Sequence, residues 1–193
     1  ISNKFKSSAT PKSKSDLGLP SDKKVILLQG AGINLDRGAE EMVEAMQWID
    51  AVFLIVGTGD VIEPLKKRVL ELKLSEKVIF TGRVPFEELI GFTQLADVGV
   101  TLDKDTNLNY KYSLPNKLFD YVHAGVPVIA NRLVEVEKMI KRYEIGGFIE
   151  EHEPKHIASV IQNVFDTPGL LDKWKSNLKY ASEQVNWQND AFA

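Results

Sequence analysis

A chain of 193 residues with 44% hydrophobic side chains is long enough for one domain with a sizeable core, and 24 basic against 27 acidic residues give a net charge of -3, which supplies no broad positive field to draw it to nucleic acid. The absence of cysteine excludes disulfides, thiolate metal sites and a cysteine nucleophile together. No apolar run approaches the roughly 20 residues of a membrane-spanning helix, and no signal-peptide pattern opens the chain, so a soluble protein is expected.

The first stretch, ISNKFKSSATPKSKSD, begins with Ile1 and is rich in lysine and serine, the composition of a solvated linker. Residues 1–22 are therefore expected to be an extension and 23–193 the folded domain, cut from a longer chain. Six short apolar runs follow, at 25–29, 52–56, 78–81, 98–102, 126–130 and 147–150. They are β-branched and continuous rather than alternating, as expected of parallel strands covered on both faces. Between them, 39–48, 61–73, 86–95, 116–124 and 134–143 carry apolar residues at offsets of three and four, such as Met42, Ala45 and Met46 or Leu65, Val69 and Leu72. Residues 155–185 read as two more helices broken at Thr167-Pro168-Gly169. This alternation predicts an α/β fold: a doubly wound, Rossmann-like, six-stranded parallel sheet with helices on both faces, plus C-terminal helices.

Ligands of such sheets bind beyond the carboxyl ends of the strands, where strand order reverses. With the order 3-2-1-4-5-6, the loops after strands one and four flank that crevice. The first reads GAGINLDRG, in which Gly30 and Gly32 permit positive φ and close approach of a ligand to the backbone around Asn34, and Arg37 stands at the mouth of the next helix. It is not the dinucleotide-binding glycine fingerprint.

The second, DKDTNLNYKYSLPNKLFD, is long for a strand-helix connection. Leu114 and Pro115 lead into a helix, with Pro115 suited to its first turn, and Asn116, Lys117 and Leu118 are expected to offer free amides at the positive end of the helix dipole. That is an anion site, to which the Lys117 ammonium adds charge, while Asp120 could accept bonds from ribose hydroxyls. Gly125 then caps the helix, and Val126-Pro127 prevents its continuation.

Other motifs compete less well. HEPKH at 152–156 matches the zinc-protease pattern, but Pro154 most naturally starts a helix and leaves His152 outside it. The Asp103 and Asp105 pair invites a divalent metal, although acidic loop residues are usually solvated. Asp60 in GTGD is a plausible helix N-cap; Trp48, Trp174 and Trp187 read as packing residues, and His123 as a partly buried one.

Four segments in series, VILLQGAGINLDRGAEEMVEAM, VFLIVGTGD, KVIFTGRVPFEELIGFTQLADVGV and YSLPNKLFDYVHAGVPVIA, resemble the nucleotide-sugar-binding C-terminal half of the group 1 (family 4) glycosyltransferases, which have the GT-B fold. The resemblance spans residues 24–150. It implies retaining transfer of a sugar from a nucleotide diphosphate donor, a UDP-sugar being favoured, to a glycan or lipid-linked acceptor held by an N-terminal domain. By this resemblance Arg37 and Lys117 act catalytically on the leaving diphosphate, with Asn116 and Leu118 amides beside them. The base lies near Gly82, Arg83 and Val84.

Nucleic acid is not an expected partner, and neither a cofactor nor a metal is expected, the nucleotide sugar being a substrate. A bacterial, cytoplasmic setting follows from the resemblance, with cell-surface glycan as product and peripheral association of the full-length protein with the inner face of the membrane. The fragment alone is expected to be inactive. Two departures stand out: Ala31-Gly32 replaces a second arginine often found in the first loop, and Tyr112 with Asp120 replaces two glutamates eight positions apart. Alternatives are a non-catalytic nucleotide- or phosphate-binding module and a sugar-nucleotide epimerase of GT-B architecture.

Overall fold

In the computed structural model, which describes residues 12–106 and 108–185, the apolar runs form six strands. These are β1 (Lys24–Gly30), β2 (Ala51–Gly57), β3 (Val78–Gly82), β4 (Val98–Thr101), β5 (Val128–Asn131) and β6 (Gly146–Ile149). Every pairing is parallel, and the order is β3-β2-β1-β4-β5-β6. This is the order expected, and it places the reversal between β1 and β4.

Alternate residues of one strand enter opposite cores, which is why the runs are apolar without a break. Ile26, Leu28, Phe53 and Ile55 face one core, while Val25, Leu27, Val52, Leu54 and Val56 face the other. Helices α1 (Ala39–Ala45), α2 (Ile62–Glu71) and α7 (Pro154–Asp166) cover the first face through residues such as Met42, Leu65 and Ile161. The second is covered by α3 (Phe86–Thr93), α5 (Asn116–Ala124), α6 (Val134–Tyr143) and α8 (Leu170–Gln184), through Phe92, Tyr121, Ile140 and Leu178. Fully buried Tyr121 has its hydroxyl 3.1 Å from the Leu27 carbonyl and 3.2 Å from that of Val100, bracing α5 across the β1–β4 junction.

Several boundaries differ from expectation. Helix α1 stops at Ala45, and the chain turns back through a Trp48 N–H to Ala45 carbonyl bond of 3.0 Å. β5 begins only after Pro127, which has no N–H to give and offers its carbonyl to the Gly99 amide at 2.8 Å. A short helix, α4 (Leu108–Lys111), lies within the long loop after β4.

Asp60 does not cap α2: Val61 holds that position without a side-chain bond, and the Asp60 amide donates instead to Asn34 Oδ1 at 3.3 Å. Part of the expected linker is folded. Ser15–Leu17 forms a 3-10 turn, Leu19 is buried, and the Lys12 ammonium lies 3.1 Å from Glu88 and 4.6 Å from the Phe92 ring centroid. Trp174 packs in the core as expected, but Trp48 is 48% exposed, with the Lys155 ammonium 5.5 Å from its ring centroid. Trp187 lies outside the described residues. Among the described residues no helix is long and apolar enough to cross a membrane.

Candidate functional site

An open pocket of about 200 Å³ occupies the carboxyl side of the β1–β4 junction, lined by Leu28, Gln29, Gly30, Gly32, Ile33, Arg37, Pro115, Asn116 and Lys117. The two loops picked from the sequence therefore meet there. The loop after β1 is tied to the loop after β2: Ile33 donates to the Thr58 carbonyl at 2.9 Å, and Thr58 to the Gly30 carbonyl at 3.2 Å. A Cβ on Gly57 would stand 1.8 Å from the Gly30 oxygen, so this approach requires glycine.

Gly30 and Gly32 do not use positive φ, contrary to expectation, because the chain leaves β1 in ordinary backbone and turns later. The left-handed conformation falls at Asp36 (φ 65) and at Gly38 (φ 76), which caps α1. That turn directs Arg37 across to the end of β4. There Arg37 Nη1 donates to Asp103 Oδ1 at 2.9 Å, and its guanidinium carbon lies 4.4 Å from the Tyr110 ring centroid. From the other side, Lys117 Nζ approaches Asp103 Oδ2 at 3.2 Å, an oxygen that also accepts the Thr101 hydroxyl at 3.0 Å.

Asp103 is 1% exposed, and the Asn131 side-chain amide donates to its carbonyl at 2.9 Å. Burial alone would raise its pKa, but Lys117 and Arg37 hold the carboxyl below its ordinary value. Burial draws the Lys117 ammonium down from its ordinary value, and Asp103 opposes that shift.

The α5 terminus differs in one respect from the sequence expectation. Pro115 is the N-cap itself, in extended backbone (ψ 138), and its carbonyl accepts the Leu118 amide at 2.9 Å. Leu118 is thus not a free donor, because the first carbonyl of the helix already takes its N–H, and its side chain is fully buried in the core. Asn116 and Lys117 remain at the pocket, with amides that bond no backbone carbonyl among the described residues.

Behind them Asp120 Oδ2 accepts from Gln29 Nε2 at 2.9 Å, and Gln29 Oε1 accepts from the buried Thr93 hydroxyl at 2.7 Å. Burial raises the Asp120 carboxyl above its ordinary pKa, with the Gln29 bond acting against it.

The remaining sequence candidates lie outside the pocket lining. Asn34 fastens the two loops together, and Leu114 packs against the α5-side core. Gly82 ends β3, an edge strand separated from β1 by β2, and Arg83 and Val84 follow it in the loop before α3. Arg83 is exposed there and Tyr112 is exposed between α4 and α5.

The Asp103 and Asp105 carboxylates are each taken by cations, Asp105 by Lys111 at 3.1 Å, and no cluster of three metal-ligating side chains occurs among the described residues. In HEPKH, α7 does start at Pro154; His152 Nε2 lies 2.9 Å from the Leu102 carbonyl, and His156 Nε2 accepts the Glu150 amide at 3.0 Å. His123 is part-buried, with Nδ1 2.9 Å from the Phe119 carbonyl.

Residues 9–180 match the family model described as Glycosyl transferases group 1. The chain belongs to this family. An uncharacterized glycosyltransferase of Methanocaldococcus jannaschii is 26% identical over 180 residues, covering 91% of this chain and 44% of the relative. The group 1 chain thus spans less than half of that relative's length.

Among solved structures, HepE of Anabaena in complex with UDP superposes with a TM-score of 0.77 at 14% identity, covering 95% of this chain and 50% of HepE. The C-terminal domain of a group 1 family protein (LpcC) of Francisella tularensis gives a TM-score of 0.72 at 15% identity, covering 93% of this chain and 96% of that one. These likenesses establish the fold as that of a GT-B C-terminal domain.

Around the pocket of this group 1 member, sequence reasoning missed the buried support: Asp103 as the partner of both cations, Gln29 and Thr93 behind Asp120, Tyr110 against Arg37, and Asn131 behind Asp103. One signal was available. Gln29 and Asp103 are polar residues at or just past the ends of apolar strands on the two sides of the switch point.

Proposed function

We propose that residues 23–193, with 12–22 docked against them, form the donor-binding half of a retaining glycosyltransferase that uses a nucleoside diphosphate sugar, a UDP-sugar in first place. The observation that carries the reading is the convergence of Arg37, Lys117 and the α5 amides of Asn116 and Lys117 on one pocket at the switch point. The complex of HepE with UDP supports the choice of nucleotide.

In this reaction the bond from the anomeric carbon to the diphosphate oxygen breaks, and its electron pair stays with the diphosphate. Arg37 and Lys117, set in place before the bond breaks, stabilise that charge, and the loss of one such donor typically costs about 3 to 4 kcal/mol in the transition state. Asp120 lies just outside the pocket lining but is only part-buried, and its carboxylate, held by Gln29, accepts the ribose hydroxyls.

The sugar passes to a glycan or lipid-linked acceptor presented by the other half of the enzyme, at the cytoplasmic face of the membrane, and no metal takes part. Calorimetric titration with UDP, GDP and ADP, each with and without magnesium, tests the donor site. Saturable binding of UDP that is indifferent to magnesium and is lost in Lys117→Ala is expected. A folded chain that binds none of the three would refute the reading.

A further inference from the structure

We propose that Asp103 is a positioning residue for this site: its buried carboxylate fixes Arg37 and Lys117 at the spacing that a diphosphate requires, and does so without touching the ligand. The inference rests on the donor-site reading and adds a residue to which neither the family match nor the likenesses above give a role.

The geometry separates support from contact. Asp103 is 1% exposed and absent from the pocket lining, whereas both of its cationic partners line the pocket. Its two oxygens are divided between those partners, Oδ1 to Arg37 and Oδ2 to Lys117, and the second oxygen is steadied by the Thr101 hydroxyl. The backbone of the same residue is held by Asn131 from β5, and the Lys104 amide donates to the Asp36 carbonyl at 2.8 Å, joining the β4 loop to the turn that carries Arg37.

Arginine and lysine are among the side chains with the most rotamer freedom, and cations of one sign packed at one pocket repel each other. A carboxylate between them orders both before the ligand arrives, which is the condition under which charged donors act most strongly on a developing anion. Arg37 reaches this point from the loop after β1 and Lys117 from the first turn of α5, on either side of the sheet reversal, so no local segment could set their spacing.

Charge counting alone gives the opposite sign, and this makes the inference testable. Asp103→Asn keeps the shape and raises the net charge of the site by one, so a site that works by net charge alone would bind a diphosphate more tightly. A site that works by positioning binds it less tightly.

The experiment is calorimetric titration of the 193-residue chain and its Asp103→Asn variant with UDP and with uridine. The expected result is a loss of UDP affinity of about 10- to 100-fold, the range for losing well-placed charged hydrogen bonds, with uridine affinity unchanged. Unchanged or tighter UDP binding by the folded variant overturns the inference and leaves the donor site standing. Equal losses for UDP and uridine would make Asp103 a general structural residue and also overturn it. Failure of the parent chain to bind UDP refutes the donor-site reading and this inference with it.

Should Asp103→Asn fail to fold, Thr101→Val keeps the carboxylate and removes the hydroxyl that steadies it. A several-fold loss of UDP affinity with uridine unchanged is then expected, and no change in either is the contrary result.

Discussion

Replacing Gly38 by alanine separates two costs that the turn before α1 imposes. The residue sits at φ 76, and a Cβ added there would lie 2.4 Å from Leu102 Cβ and 2.6 Å from the Leu102 oxygen. Left-handed backbone costs an alanine about 1 to 2 kcal/mol, of which about 0.4 to 1 kcal/mol is offset because alanine reduces the freedom of the unfolded chain. Relieving the overlap requires α1 and the end of β4 to separate, a further cost of about 1 to 3 kcal/mol typical of over-packing.

Gly169 supplies the control: it has φ 75, caps α8, and nothing lies within 4 Å of an added Cβ. Gly169→Ala therefore bears the backbone cost alone, and Gly38→Ala bears both. In a domain of this size about 1 kcal/mol moves the melting temperature by roughly 2 to 4 °C, so the two variants should differ by about 2 to 12 °C in calorimetric scans, Gly38→Ala melting lower. Because Leu102 immediately precedes Asp103, the same displacement should weaken UDP binding in Gly38→Ala and leave it intact in Gly169→Ala. Equal melting temperatures would refute the contact between the α1 turn and β4 on which the placement of Arg37 depends.

Arg37→Ala should weaken UDP binding by about 10- to 150-fold, the equivalent of one charged hydrogen bond at about 1.5 to 3 kcal/mol, while uridine binds as before; equal losses for both in parallel titrations would remove Arg37 from the phosphate site. Tyr121→Phe deletes a buried hydroxyl set between the Leu27 and Val100 carbonyls. It should lower stability by about 1 kcal/mol in urea unfolding without changing UDP affinity.

For Asp120→Asn the sign follows from its raised carboxyl pKa, which arises mainly from burial. The folded state holds the proton to higher pH than the unfolded chain, so ionisation of Asp120 costs stability. That cost is absent below the ordinary value of 3.8 and complete above the folded-state pKa. The variant should therefore melt higher than the parent at pH 7 and equally at pH 3, and bind UDP more weakly. A parental melting temperature at pH 7 would contradict it.

The fold was legible because burial on both faces leaves an unmistakable mark on a parallel strand. VILLQ and VFLIV cannot alternate when Leu27 and Leu28 enter different cores, and β1 and β2 each extend only one residue beyond the expected run at either end. Helices were legible in their apolar periods, and their ends less so. The close of α1 depends on a bonded turn at 45–48 and the start of α2 on a tie between Asp60 and Asn34, both of which depend on where the neighbouring segments lie.

The lining of the candidate pocket was legible in the sequence, and the residues beneath it were not. Gly30, Gly32, Arg37, Pro115, Asn116 and Lys117 all line the pocket, and each carries a local signature: a loop glycine, a cation at a helix mouth, or a helix start. Asp103 has no local signature beyond its place after β4. Its first partner is 66 positions away, so DKD looked like a solvated or metal-binding loop.

Leu118 escaped for a related reason: its amide closes a tight first turn onto the Pro115 carbonyl three residues back, and nothing in the local sequence distinguishes that bond from a free donor. Gln29 is a polar side chain closing an apolar strand, and its partners Thr93 and Asp120 come from the two helices α3 and α5 on one face.

The hidden shell also answers an electrostatic question that the pocket alone poses. Burying Lys117 beside Arg37 would, without Asp103, set two like charges together in a poorly solvated place, and the cheaper response would be for the lysine to lose its proton. A neutral amine could not stabilise a departing diphosphate. The buried carboxylate makes both cations tenable and leaves the trio of Arg37, Lys117 and Asp103 with a net charge of about +1, where the two cations alone would carry about +2. A site of this kind does not gain its selectivity for an anion from the amount of positive charge. On the donor-site reading proposed above, selectivity comes from the direction of two cations held by one buried anion, and from a helix terminus at the same pocket.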